Sequence, residues 1–195
     1  MSEASQRLIA RGVALECITL GWNAVGVVVL AIAALMAQSV ALAGFGLDSL
    51  IEIGASMVVL WELADTQAQR RDRALRLIAV AFVLLAVYLA VQATWLLVAG
   101  SHPHASPLGI AWTAVTAVVM FTLAAGKAHT GAALDNPVLR TEGRVTFIDG
   151  VLAVSVLGGL VLNAAFGWWW ADPVACVVLV YYALSEARTI FGGEH

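Results

Sequence analysis

The stretch Ala41-Leu-Ala-Gly-Phe-Gly-Leu-Asp-Ser-Leu-Ile-Glu-Ile-Gly-Ala-Ser-Met-Val-Val-Leu60 decides the fold. It is an apolar run long enough to span a bilayer, and it carries two acids, Asp48 and Glu52. On a helix, residues four apart leave the same face, about 6 Å apart along the axis. A carboxylate at membrane depth costs about 3 kcal/mol or more unless a cation or a proton compensates it. Two of them on one face make a poor structural choice and a good cation site.

The rest of the chain has the same character. Of its 195 residues 62% are hydrophobic and 12% charged, whereas a soluble domain is about 45–50% apolar and about 25% charged. Mean hydropathy is +0.91. A water-soluble core of this size cannot hide so much apolar surface, so the chain reads as an all-α integral membrane protein. The polar start, Met1–Arg11, runs directly into a long apolar span, and no cleavable signal peptide is expected. Cys17 and Cys176 lie far apart in apolar segments and read as free thiols.

A helix needs about 20 apolar residues to cross the hydrocarbon. Six spans satisfy this, at roughly 13–36, 40–62, 74–99, 108–127, 139–164 and 168–190. Met36–Ser39 is a tight turn, Asp65–Arg73 a polar loop, Gly100–Pro107 a Pro/Gly-rich turn, and Ala128–Leu139 the longest loop. Gly167-Trp-Trp-Trp170 forms an aromatic belt, and Asp172-Pro173 a helix start. All 10 basic residues fall in the amino-terminal segment, the second and fourth loops, or the carboxy terminus. Lys127 is counted with the fourth loop. The positive-inside rule then places both termini in the cytoplasm. After Arg188 only Thr189 to His195 remain, so a single transmembrane domain over 1–195 and no soluble domain is expected.

Depth brings a third acid to the first two. Asp48 lies about 12 Å, and Glu52 about 18 Å, along a second span entered from outside. Asp149 lies about 15 Å along a fifth span entered from inside. All three are near the middle of a core about 30 Å thick. Glu142 precedes Asp149 by two turns, on the same face and about 10 Å nearer the cytoplasm. It lines the inner mouth or joins the site, or else pairs with Arg140 or Arg144. Glu16 has a similar shallow depth and reads as a solvated end residue or a vestibule acid. Asn23, at mid-depth on the first span, reads as a partner in an interhelical hydrogen bond, with a carbonyl ligand as the alternative. Gly44, Gly46, Ser49, Gly54, Ala55 and Ser56 read as close-packing residues. His102 and His104 read as ordinary residues of an outer loop, His129 sits in an inner loop, and His195 ends the chain.

The second span, Ser39 to Ser56, resembles the second transmembrane helix of the cation diffusion facilitator (cation efflux) family. That helix carries a serine-led turn and then an acid-x-x-x-acid pair, which Asp48 and Glu52 match. Thr141-Glu-Gly-Arg-Val-Thr-Phe-Ile-Asp149 resembles the helix where the family has His-x-x-x-Asp, and Trp169-Trp-Ala-Asp-Pro173 resembles the family's sixth-helix start. Two departures stand out. The histidine position is Val145, which leaves an oxygen-only site or one that borrows Glu142, and Zn²⁺ prefers N and S ligands while Mn²⁺ accepts carboxylates. The cytoplasmic domain that dimerises many members is also missing, so a homodimer would be held by membrane helices.

The resemblance implies a proton-coupled secondary transporter that exports a divalent cation (zinc, manganese, cobalt or iron) at Asp48, Glu52, Asp149 and Glu142. Its partners are that cation, protons and the lipid bilayer of a bacterial inner membrane. Nothing in the chain points to nucleic acid, and no Gly-x-x-x-x-Gly-Lys-Ser/Thr stretch points to ATP. The competing readings are a passive cation channel lined by the same acids and a non-transporting metal sensor or assembly partner. An enzyme is the poorest fit, because no nucleophile has a base beside it at mid-depth.

Overall fold

The computed structural model describes residues 3–64, 68–99 and 102–192, and every regular element in them is α-helical. There are six: α1 (Glu3–Ala37), α2 (Val40–Ala64), α3 (Ala68–Ala99), α4 (Pro107–Ala133), α5 (Pro137–Phe166) and α6 (Ala171–Gly192). They correspond one to one with the expected spans. Among the described residues, Gln6–Ala37, Pro107–Ala133 and Glu142–Phe166 are each long and apolar enough to cross a membrane. Phe82–Val98 is a shorter apolar stretch within α3. The chain is an all-α membrane protein.

The helices outrun the apolar windows at several ends. The reason is that polar side chains leaving a bilayer do not stop a helix; a backbone break does. α1 starts at Glu3, ten residues before its apolar span. α3 starts at Ala68, so most of the expected Asp65–Arg73 loop is helical, and residues 65–67 lie outside the described residues. The expected loop Ala128–Leu139 shrinks to Leu134–Asn136. There Asp135 adopts a left-handed φ of 51°, and the Asn136 Oδ1 accepts the Leu139 N–H at 3.1 Å to cap α5. Pro137 opens α5, where its missing N–H costs nothing. The Met36–Ser39 turn is as expected, with Gln38 at φ 53°. The Gly100–Pro107 turn is non-helical over 102–106; Gly100 and Ser101 lie outside the described residues, as does His195.

Hydrogen bonds gather the α1–α2, α3–α4 and α5–α6 connections at one end. The His104 N–H donates to the Ala37 carbonyl at 2.7 Å, and the Asn163 Nδ2 donates to the Pro103 carbonyl at 2.9 Å. The start of α1 and the end of α6 therefore lie at the opposite, terminal end. α2 is the central element, packed against α1, α3, α5 and α6, while α4 runs along α5 and α3 along α6. Much of the buried apolar cluster sits toward the connection end: Leu30, Ala33 and Ala37 of α1, Leu42 and Phe45 of α2, Leu89 of α3, Val156 and Leu160 of α5. Large apolar side chains such as Leu84, Val91, Trp95, Val118 and Val177 point outward. On a membrane protein this is the face that meets lipid.

The buried polar residues fall elsewhere. Glu16, Thr19 and Asn23 of α1, Ser49, Glu52 and Ser56 of α2, Lys127 and Thr130 of α4, and Glu142, Thr146 and Asp149 of α5 are all buried. They run from mid-bundle toward the terminal end, while Ser39, Ser106, Thr113 and Asp172 are buried toward the connection end.

Candidate metal centre

α2 is held in place at its first turn by a residue of another helix. Ser39 caps it, its Oγ accepting the Leu42 N–H at 3.1 Å. The Ser39 hydroxyl in turn donates to the buried Asp172 carboxylate at the start of α6. The other Asp172 oxygen accepts the N–H groups of Val40 at 3.1 Å and Ala41 at 3.2 Å. Asp172 thus neutralises the open amides of a neighbouring helix, and a carboxylate suits the positive end of that helix. This fixes the height and rotation of α2, and with them Asp48 and Glu52.

Asp48, Glu52 and Asp149 are all buried. Glu52 and Asp149 are neighbours across the α2–α5 packing, close enough for a proton on either carboxyl to bond it to the other. With both ionised, the two Asp149 oxygens and the Glu52 Oε1 have no hydrogen-bond donor among the described residues. Those three orphaned oxygens are what a cation or a proton would satisfy. The Glu52 Oε2 accepts from the Asn23 Nδ2 at 2.9 Å. Asn23 thus makes the interhelical hydrogen bond expected of it, as the donor. Asp48 lies one turn further along α2, within electrostatic reach of Glu52 and Asp149 and of Tyr182 and Glu186 on α6. Among the described residues no three acidic, histidine or cysteine side chains stand close enough to enclose one ion. The three acids share one buried region, but they do not form a closed ligand cage in this conformation.

One turn toward the terminal end lies a second cluster. The Lys127 Nζ donates to the Glu16 Oε2 at 3.0 Å, to the Thr146 Oγ1 at 3.0 Å and to the Glu142 Oε1 at 3.3 Å. The Ser56 Oγ also reaches the Glu142 Oε1, at 3.4 Å. Lys127 and Glu16 are completely buried. This corrects three expectations. Lys127 is a helix-interior residue of α4, not a loop cation. Glu16 is an ion-pair partner, not a solvated end residue. Glu142 is engaged by Lys127, in place of the Arg140 or Arg144 considered for it, and both arginines are exposed. The physical reason is that α4 continues past residue 127 and turns Lys127 inward. A signal for this existed in the sequence: two acids and one lysine at the same shallow depth cannot all be left unpaired in a low dielectric.

The remaining expectations are quickly placed. His102 and His104 are exposed, with the His102 ring edge-on to Trp169 at 4.8 Å. His129 is exposed on α4 rather than in a loop. Val145, at the family's histidine position, is partly buried on α5. Cys17 is exposed and Cys176 buried, and both are free. Of the small residues on α2, Gly44 lies against Leu89 and Gly46 against Leu30, whereas a Cβ on Gly54 would meet nothing within 4 Å among the described residues. Ala55 is among the residues whose side chains lie outside the description.

The side chains gathered there are carboxylates, with the Asn23 amide alongside. Residues 74–192 match the family model described as the cation efflux transmembrane domain. The matched region takes in most of α3 and all of α4 and α5, with Lys127, Glu142 and Asp149, and precedes the end of α6 by no residue. Asp48 and Glu52 lie ahead of it.

Proposed function

The chain belongs to the cation efflux family and is a metal cation transporter, and from that premise we propose that it is a proton-coupled antiporter. It exchanges a divalent transition-metal ion such as zinc, manganese, cobalt or iron for protons at Asp48, Glu52 and Asp149, with Glu142 on the approach. Both termini face the cytoplasm of a bacterial inner membrane, and the protein works as a homodimer associated through its membrane helices.

One observation carries this reading: the three donorless oxygens of Glu52 and Asp149 in an apolar bundle. Buried carboxylates without donors are costly, and either a proton or a metal ion relieves the cost. The same oxygens therefore accept one or the other, and their exchange couples the two fluxes. Asp48, one turn away, completes the ligand set when α2 moves relative to α5. Such a movement is rocking of packed helices about a mid-membrane site. The absence of histidine at Val145 favours ions that tolerate all-oxygen coordination.

The test is metal uptake into proteoliposomes under an imposed pH gradient, with Zn²⁺, Mn²⁺, Co²⁺ and Fe²⁺ supplied separately. Flux of at least one ion should follow the gradient and vanish when the gradient is collapsed. Asp48→Asn and Asp149→Asn should each abolish it. Flux indifferent to the gradient would favour a channel, and folded protein that moves no ion would remove the transport reading.

A further inference from the structure

We propose that the Glu16–Lys127–Glu142 cluster is a gate, with Lys127 as its bolt, that closes the path from the terminal end of the bundle to the carboxylate centre. This rests on the reading that the ion binds among Asp48, Glu52 and Asp149.

The position of the cluster comes first. Ser56 follows Glu52 by one turn of α2, and Glu142 precedes Asp149 by two turns of α5. The cluster is thus stacked about 6–10 Å from the centre. It stands on the terminal side of the centre, among buried acids and hydroxyls, whereas Leu30, Leu42, Phe45 and Leu89 fill much of the interior on the other side. A single ammonium group there binds α4 to α1 through Glu16 and to α5 through Glu142 and Thr146. Ser56 adds α2 through its contact with Glu142. Three helices meet at one nitrogen and a fourth joins through Glu142, and all four must hold position for the contacts to last.

The packing closes the gap as well. A Cβ on Gly143 of α5 would lie 3.0 Å from the Ala128 backbone nitrogen and 3.3 Å from the Lys127 Cβ. The two backbones are in near contact at this level, as only a glycine allows. No passage remains between α4 and α5 there.

The chemistry makes the closure reversible. A buried ion pair adds little stability over an apolar filling of equal volume, and its best-attested use is in registry or switching. Here Lys127 presents one positive charge to two carboxylates, and the Glu16 Oε1 remains without a donor among the described residues. An approaching divalent cation offers those oxygens more charge than the ammonium does and takes its place. Lys127 is then repelled and the contacts to α1 and α5 release together. A tethered cation keeps the path shut until a free cation arrives.

The test is cysteine accessibility, which needs no metal flux. In a Cys17→Ala background, Glu52→Cys places a thiol just beyond the gate, and the native Cys176, buried near the connection end, reports general loosening. The full chain in lipid nanodiscs is exposed to a charged methanethiosulfonate, and both sites are followed by mass spectrometry. The Glu52→Cys thiol should react slowly with the cluster intact. It should react at least tenfold faster in Glu16→Gln/Lys127→Met/Glu142→Gln, and by a smaller factor in Glu16→Gln alone, while Cys176 stays unreactive. Equal rates in all three proteins would overturn the gate. So would a parallel rise at both thiols, which would mean that the cluster only holds the fold. A tenfold difference in the Glu52→Cys proteins, with no flux of any ion through the unsubstituted chain in proteoliposomes, would keep the gate and discard the transport reading; flux through the unsubstituted chain without the difference would do the reverse.

Discussion

Lys127 shows how much a single charged side chain decides inside an apolar bundle. Its Nζ has three acceptors within 3.3 Å, so removing it leaves Glu16 and Glu142 buried without a counter-charge. Breaking a buried pair from one side costs about 3–5 kcal/mol, whereas replacing all its members by neutral groups of similar size is close to neutral. Lys127→Met should accordingly lower the thermal midpoint in detergent markedly, and adding Glu16→Gln and Glu142→Gln should restore most of the loss. An unchanged midpoint in the single variant would mean that the pair is not formed in the membrane protein. Asn23 is the neutral counterpart of this case. By donating to Glu52 at 2.9 Å it orients one carboxylate without neutralising it, and so leaves the charge available to an ion.

At the scale of elements, the placement of α2 is the decisive feature, and it is set from outside α2. Asp172 at the start of α6 accepts from the Ser39 hydroxyl and from two amides of the first turn. Asp172→Ala would leave those buried donors unsatisfied, at about 1–3 kcal/mol for each group affected. Hydrogen exchange at residues 40–42 should then rise, and metal binding should weaken because Asp48 and Glu52 lose their register. Intact protection at 40–42 would show that α2 is held by packing alone. The Trp-Ala-Asp-Pro element, which resembles a helix start and nothing more in the sequence, is thus also the cap of a different helix.

At the scale of the whole molecule, the bundle is divided. The half nearer the helix connections is mostly closed by leucine, alanine and phenylalanine, with Ser39 and Asp172 paired at its rim, and the terminal half adds buried acids, hydroxyls and one lysine to its apolar residues. An apolar half resists the passage of any charged species, while the polar half can admit one. The core cluster is built from apolar side chains, so metal should act as a ligand that stabilises the native state by mass action. At one hundred times the dissociation constant that stabilisation is about 2.7 kcal/mol. Titrating the transported ion should therefore raise the thermal midpoint of the wild-type protein and leave that of Asp149→Asn unmoved. A midpoint that rises equally in both would place the ion somewhere other than beside Asp149.

The class of fold, the number of helices and the presence of acids inside the bundle are legible in the chain itself. They follow from terms that are local in sequence: apolar runs of bilayer length, and acids whose cost at depth marks them out wherever they occur. Asp48, Glu52 and Asp149 stand at one depth in the sequence and share one buried region in the bundle. The pairings were not legible. Lys127 reads as a loop cation because it follows an apolar window, and only the continuation of α4 into the bundle turns it onto Glu16 and Glu142. Asp172 likewise finds its partners 131 to 133 residues away. Burial cost is a property of each residue and can be read along the chain. Which partner meets that cost depends on how six helices rotate against one another, and tertiary packing alone decides that.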